Sequence, residues 1–89
     1  MAWTIEYSER ALKALRRTDT ATNQRIVDYL RDVAALRDPK ARGRALTGSK
    51  AGLWRYRVGD WRVICALDSG HLVILAIDIG HRSQVYRDR

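Results

Sequence analysis

The stretch Gly52–Trp61, GLWRYRVGDW, decides how the second half of this 89-residue chain folds. Large apolar and cationic side chains alternate along it, and a period of two is typical of a β-strand. Arg55 and Arg57 would therefore lie on one face of the strand. The other face is apolar and carries Trp54, Tyr56 and Val58.

The Gly59–Asp60 pair predicts a tight turn, because glycine supplies the positive φ that two-residue hairpin turns require. This turn would place Val58 opposite Trp61 and Arg57 opposite Arg62. Like charges that face each other across a ladder destabilise it unless an anion lies between them. We therefore expect an anion-binding function for the arginine pair.

The chain before this stretch predicts one strand followed by a helix. Trp3–Tyr7 is rich in β-branched and aromatic residues, which favour strands. Ser8 is a suitable N-cap for the helix, and Leu12 and Leu15 form its small apolar face.

A second helix is expected to begin at Thr18 or Asp19 and to run to about Arg37. Its apolar positions are spaced by four and three residues: Ile26, Leu30 and Val33. The helix must end before Pro39, because a residue that precedes proline is disfavoured in the α region. The two helices are expected to form a hairpin that packs on a sheet.

The remaining chain predicts a loop and three strands. Residues 40–51 read as a basic loop anchored by Leu46, and the strands are expected at about 53–58, 61–68 and 71–79. A turn at Ser69–Gly70 would place Cys65 opposite Ile74 and Arg62 opposite Ile77. The predicted fold is a single α+β domain over residues 1–89: an N-terminal strand, a two-helix hairpin and a three-stranded antiparallel meander, with the helices on one face of the sheet.

The net charge of +7 is concentrated in one part of the chain. Residues 40–62 hold seven cations and one anion, Asp60, and 14 of the 17 cations in the whole chain are arginines. Such an excess is typical of a surface that binds a polyanion, and the planar guanidinium matches phosphate. Nucleic acid is favoured, although an acidic protein or a membrane surface would also fit.

Several classes of function are disfavoured by the composition. The single cysteine, Cys65, allows no internal disulfide and makes a zinc cluster improbable, and no glycine-rich nucleotide loop or paired carboxylate is present. We therefore expect neither a metal nor a small-molecule cofactor. The N-terminus has no signal-peptide pattern and the longest apolar run, 72–77, is too short to span a bilayer, so a soluble cytoplasmic protein is expected.

The predicted register brings the C-terminal tail beside the arginine pair. One concave patch would then contain Arg55, Arg57, Arg62, His81, Arg82 and Tyr86. The loop cations would either bind backbone phosphates or be ordinary solvated charges: Arg42, Arg44 and Lys50. Such a patch favours phosphate binding.

RNA cleavage is a further possibility for this patch, because RNA carries its own nucleophile, the 2′-hydroxyl. The protein then needs to orient the backbone, stabilise charge at phosphorus and move protons. Arginines perform the first two tasks but carry protons poorly, so the proton carrier would be His81 or Tyr86.

The segments RYRVGDWRV and GHRSQVYR, with the preceding strand and helical hairpin, resemble the RelE/ParE superfamily of toxin–antitoxin toxins, and more closely its RelE branch. The resemblance covers 3–87 and implies a ribosome-dependent, metal-independent endoribonuclease that cuts mRNA by 2′-hydroxyl attack. It also implies an acidic cognate antitoxin as partner. The family's catalytic positions correspond to Arg55, Arg57, Arg62, Arg82 and Tyr86.

One departure from the family pattern affects the mechanism. Arg55 and Arg57 occupy positions that are lysines in well-known members, so a role as titrating base does not transfer to them. Two alternatives stay open: a ParE-type DNA gyrase inhibitor without nuclease activity, and a cleavage-dead homologue that pairs with its antitoxin.

Overall fold

The computed structural model describes residues 2–83, which form a five-stranded mixed sheet with two helices on one face. The elements in chain order are β1 Thr4–Tyr7, α1 Glu9–Arg17, α2 Thr20–Ala34, β2 Arg44–Ala45, β3 Trp54–Val58, β4 Trp61–Asp68 and β5 Val73–His81. The strand order is β1-β5-β4-β3-β2, in which β1 is parallel to β5 and the other neighbours are antiparallel. The α+β class is confirmed, but the predicted three-stranded meander is wrong, because β1 and β2 extend it on both sides.

Both helices begin at side-chain caps. The Ser8 hydroxyl accepts a hydrogen bond from the Ala11 N–H at 3.0 Å, and it donates to the Ile77 carbonyl at 2.6 Å. Asp19, one of the two predicted candidates, caps α2 by accepting from the Thr22 N–H at 2.8 Å. These caps provide partners for N–H groups that the helices themselves leave unpaired.

Helix α2 ends at Ala34, three residues before the predicted end at Arg37. The Ala34 carbonyl accepts a hydrogen bond from the Trp3 N–H at 2.8 Å, at the entry to β1. Contact with the N-terminal strand therefore coincides with the end of the helix, and the sequence of α2 alone could not reveal it.

The basic loop contains a short strand that was not predicted. Gly43 has a φ of +81°, and a Cβ atom at this position would lie 2.5 Å from the Arg55 carbonyl oxygen. Glycine therefore allows the chain to approach β3, where Arg44 pairs with Arg55 and Ala45 with Trp54. The prediction of an unpaired loop is corrected at these two residues.

The first hairpin has the predicted register, with Val58 opposite Trp61 and Arg57 opposite Arg62. The second hairpin does not. Its loop is longer than two residues, since Asp68 pairs with Val73, and Cys65 lies opposite Ala76 rather than Ile74.

A β-bulge shifts the register of the second hairpin once more. The irregularity at Ile64/Cys65 leaves Arg62 opposite Gly80, where Ile77 was predicted. Each additional unpaired residue in the loop or the bulge moves the rest of β5 along β4. The error therefore grows toward the functional end of the strand.

The core lies between the helices and one face of the sheet. Ile26, Leu30 and Val33 pack there with residues of the three longest strands. Tyr56 is fully buried and donates its hydroxyl hydrogen to the Pro39 carbonyl at 2.8 Å, and burial raises the pKa of this phenol. No helix among residues 2–83 is long and apolar enough to cross a membrane.

Candidate functional site

Four arginines lie on the face of the sheet that is turned away from the helices. Tyr56 and Val58 belong to the helix-covered core, so the alternation of β3 directs its arginines to the opposite face. The register adds one residue from each neighbouring strand. The four are Arg44, Arg55, Arg57 and Arg62.

Arg62 is held by the turn that it follows. It is 8% exposed, and its guanidinium donates to the carbonyls of Gly59 and Trp61, both at 3.0 Å. These contacts turn the positive charge of Arg62 toward backbone oxygens, which offsets its repulsion from Arg57. The arginine pair therefore has a structural explanation as well as the anion-binding one expected from the sequence.

Arg82 follows the last residue of β5 and lies beside the Gly59–Asp60 turn of the first hairpin. Its backbone N–H donates to the Asp60 carbonyl at 2.8 Å, and its Nε lies 4.0 Å from Asp60 Oδ1. Both side chains of this ion pair are largely exposed. The structure thus brings Arg82 to the end of the sheet that also holds Arg62, as the sequence predicted.

His81 lies on the other face of the sheet. It pairs with Trp61, and the two rings are edge to face with centroids 5.9 Å apart. Trp61 packs against the core on the helix side, and His81 Nδ1 lies 3.0 Å from Ser83 Oγ. The structure therefore does not place the imidazole among the arginines.

Tyr86, the other predicted proton carrier, lies outside the described residues.

Three arginines of this cluster line a cleft of about 170 Å³ at the outer edge of β3. It is lined by Tyr29, Gly43, Arg44, Arg55 and Arg57. The two residues of β2 pair with Trp54 and Arg55, so β2 does not continue alongside Arg57. Of the six residues predicted to share one concave patch, this cleft brings together Arg55 and Arg57.

Tyr29 was missed by the sequence reasoning. Its ring packs edge to face on Tyr56 at 6.1 Å, and the Arg42 guanidinium carbon lies 5.7 Å from its centroid. Tyr29 comes three residues after Ile26 and four before Val33, so the helical period places it on the side of α2 that faces the sheet. That spacing was the signal that could have identified it.

The remaining two loop cations occupy different surroundings. Arg42 borders the cleft through its contact with Tyr29. Lys50 ends the short 3-10 turn Gly48–Lys50, at the opposite end of β3 from the Gly59 turn, and it does not line the cleft. The structure thus supports a place near the site for Arg42 and Arg44 but not for Lys50.

The chemistry that these side chains offer is donation of hydrogen bonds from cationic groups. Guanidinium groups offer forked donors that match two oxygens of one phosphate. Within residues 2–83, no group of His, Cys, Asp and Glu side chains is arranged to hold a metal ion.

Comparison with known proteins gives matches of two kinds in sequence. Residues 5–86 match the family model described as ParE toxin of type II toxin-antitoxin system, parDE. Toxin RelE of Mycobacterium tuberculosis is 40% identical over 52 residues, which are 58% of this chain and 54% of that protein. The match thus spans about half the length of this relative.

Solved structures share the fold. The toxin–antitoxin complex RelBE2 from Mycobacterium tuberculosis contains a chain with a TM-score of 0.83 and 22% identity, covering 92% of this chain and 100% of that one. A chain of the archaeal RelE–RelB complex from Pyrococcus horikoshii has a TM-score of 0.73 and 23% identity, covering 94% of this chain and 99% of that one. The YoeB/ParE toxin from Agrobacterium tumefaciens has a TM-score of 0.72 and 21% identity, covering 88% of this chain and 96% of that one. At these identities the likeness establishes the fold alone.

Proposed function

Because the chain belongs to the ParE toxin family of type II toxin–antitoxin systems, within the RelE/ParE superfamily, we propose that it is a ribosome-dependent endoribonuclease. Its substrate is mRNA, it acts without a metal ion, and it inhibits translation. The observation that carries this proposal is the arginine cluster on the open face of the sheet, with Arg57 beside Arg62 and Arg82 beside the Gly59–Asp60 turn.

The arginines would have two roles at the scissile phosphate, which are binding of the RNA backbone and stabilisation of charge at phosphorus. Arg44 and Arg55 line one cleft and would bind the phosphate backbone, while Arg57, which lines the same cleft and lies opposite Arg62 in the ladder, would stabilise charge at the scissile phosphate. Arg62 is fixed by two carbonyls, so its guanidinium is oriented before the substrate arrives. Donors that are positioned in advance stabilise charge at phosphorus in the transition state without reorganising.

The bond changes require two proton transfers. The RNA 2′-oxygen loses its proton and bonds to phosphorus, while the bond from phosphorus to the 5′-oxygen breaks and that oxygen gains a proton. His81 would have to leave its contact with Trp61 to reach the arginine face. This favours Tyr86 over His81 as the proton carrier.

An acidic cognate antitoxin is the partner that we propose alongside ribosome and mRNA. Two of the solved structures that share the fold are toxin–antitoxin complexes, RelBE2 from Mycobacterium tuberculosis and the RelE–RelB complex from Pyrococcus horikoshii. The charge of +7 on this chain would favour an acidic partner that covers the arginine face. A target on the ribosome would place the protein in the cytoplasm.

Primer extension on mRNA from cells that briefly express the protein tests the nuclease function. We expect cuts aligned with codons, and we expect them to disappear in Arg82→Ala and Tyr86→Phe. A His81→Gln variant that cuts at the native rate would support Tyr86, whereas a loss of cutting in this variant alone would assign the proton transfer to the histidine.

A ParE-type gyrase inhibitor is the second candidate, because the matching family model carries the ParE description. Intact mRNA together with induced DNA damage in the same cells would favour it over the nuclease. Intact mRNA and intact DNA, with binding of the antitoxin retained, would indicate a homologue that has lost cleavage.

A further inference from the structure

A second basic cleft lies between α1 and the end of β5, on the helix side of the sheet. Its volume is about 370 Å³, and residues 78–80 of β5 form one wall. The other wall is formed by α1 and includes three cations: Arg10, Lys13 and Arg17. The arginine site described above uses none of these side chains.

The cations of this α1 cleft form a ridge. They are separated by three and four residues, so they share one face of the helix and extend over about 10 Å of its axis. Asp78 lies opposite them, with its Oδ1 3.3 Å from Arg10 Nε, and among the described residues it is the one anion that lines the cleft. Lys13 and Arg17 are exposed and present their charge to the cleft.

The α1 cleft meets the arginine site at one end of the sheet. Gly80 lines the cleft and is also the residue opposite Arg62 in the ladder. Arg82 follows two residues later, beside Asp60. Cations therefore lie along a path from α1, around the end of β5, to the open face of the sheet.

We propose that the α1 cleft binds the phosphate backbone of the same RNA strand whose scissile phosphate lies at the arginine site. This inference rests on the proposed function. A strand that passes around the end of β5 meets Arg82 between the two sites. A ridge of cations at regular spacing on a rigid helix suits a chain of regularly spaced phosphates better than an irregular acidic peptide.

Equilibrium binding of a non-cleavable RNA tests the proposal separately from cleavage. The probe is a single strand of about 12 nucleotides, within the site sizes of compact single-strand binding modules, with deoxyribose at the position of attack. The test variant is Lys13→Gln/Arg17→Gln. The matched control is Arg16→Gln/Arg37→Gln, which has the same net charge but changes residues outside the cleft.

The salt dependence of binding provides the quantitative result. Loss of two phosphate contacts lowers the slope of log K against log salt by about 1.4 for single strands, so the advantage of the native protein over the test variant should shrink about sevenfold between 50 and 200 mM salt. The control should keep the native slope. A trinucleotide, which reaches the arginine site alone, should bind both variants equally.

Two further measurements can overturn the proposal: RNA binding by an Asp78→Asn variant, and binding of polyglutamate compared with RNA. Asp78→Asn removes the anion from the cleft and should tighten binding of the long RNA, while the exposed ion pair that it breaks contributes little to stability. Equal slopes for test and control variants, or no RNA binding at low salt, would overturn the proposal. The proposal would also be overturned if the test variant lost affinity for polyglutamate but not for RNA, because the α1 cleft would then bind an acidic peptide. Retained binding of the probe together with uncut mRNA in the primer-extension assay would refute the nuclease function and leave the inference of RNA-backbone binding at the α1 cleft intact.

Discussion

At the scale of single residues, the arginines of the open face differ in what holds them. Arg62 is almost buried and bonded to two carbonyls of its own turn, whereas Arg57 is exposed at the edge of the cleft. Stability and activity should therefore respond differently to their removal.

Arg57→Ala should lower the single-turnover rate of cleavage of ribosome-bound mRNA about 100-fold, the usual effect of removing one transition-state donor, and leave the unfolding midpoint in urea near the native value. Arg62→Ala should lower the rate too, and it should destabilise the fold by about 1.5–3 kcal/mol, because charge-assisted hydrogen bonds to two carbonyls are lost. Arg37→Ala serves as the control for net charge. Native cleavage by Arg57→Ala would make Arg57 an ordinary surface cation.

The thiol of Cys65 should not react with thiol reagents while the protein is folded. It is fully buried, and desolvation raises the pKa of its thiol from the ordinary value of 9.0 to about 12. The folded state therefore favours the neutral thiol, so its contribution to stability is complete below pH 9 and is lost as the pH rises toward 12.

Thiol labelling and alkaline denaturation test this prediction for Cys65. A thiol reagent at pH 8 should modify the protein at the rate of unfolding, and urea should accelerate the modification. The loss of stability between pH 9 and 12 should be smaller in Cys65→Ala than in the native chain. Rapid labelling without denaturant would contradict the buried position.

At the scale of secondary-structure elements, β2 depends on the glycine that precedes it. Gly43 has a positive φ and lies against β3 so closely that a Cβ would come within 2.6 Å of the Trp54 indole nitrogen. Gly48 also has a positive φ, of +66°, but a Cβ there would have no neighbour within 4 Å. The two glycines therefore separate the effect of backbone conformation from that of crowding.

Gly48→Ala should cost about 1 kcal/mol for the left-handed conformation alone. Gly43→Ala should cost about 1–3 kcal/mol more, because the added methyl group forces β2 away from β3. Urea denaturation measures both values. If the two variants are equally stable, the close approach of Gly43 to β3 does not exist in solution.

At the scale of the whole molecule, positive charge predominates at the end of the sheet that carries Arg62 and Arg82, where Asp60 and Asp78 are the anions of two ion pairs. The net charge of +7 has its main source in residues 40–62, and α1 adds further cations next to β5. A polyanion that binds this surface should stabilise the folded protein, because the cations are no longer held together after unfolding and the unfolded chain binds the polyanion less well.

Polyphosphate in excess should therefore raise the melting temperature by several degrees at low ionic strength. The shift should vanish near 1 M salt, where screening acts within about 3 Å. Polyethylene glycol, an uncharged polymer, is the control. A shift that survives high salt would indicate that the stabilisation is not electrostatic.

The sequence by itself determined the local features of this protein. The helix cap at Ser8, the Gly59–Asp60 turn and the Arg57–Arg62 pair each depend on residues that are close in the chain, where backbone preference and side-chain period are sufficient. For the second helix the sequence left two caps open, Thr18 and Asp19, and the structure selects Asp19. The α+β class and the basic character of the site followed from the same local patterns.

Only the tertiary structure decided which distant segments meet. The parallel pairing of β1 with β5 and the pairing of Arg44 with Arg55 join segments that no local pattern connects. The helical period places Tyr29 on the side of α2 that faces the sheet, but only the tertiary structure brings it into one cleft with Arg55 and Arg57. The loop after β4 and the bulge moved His81 opposite Trp61, away from the arginine face. A strand has a period of two, so its register, and with it the face of every side chain, depends on unpaired residues that the packing of the whole sheet selects.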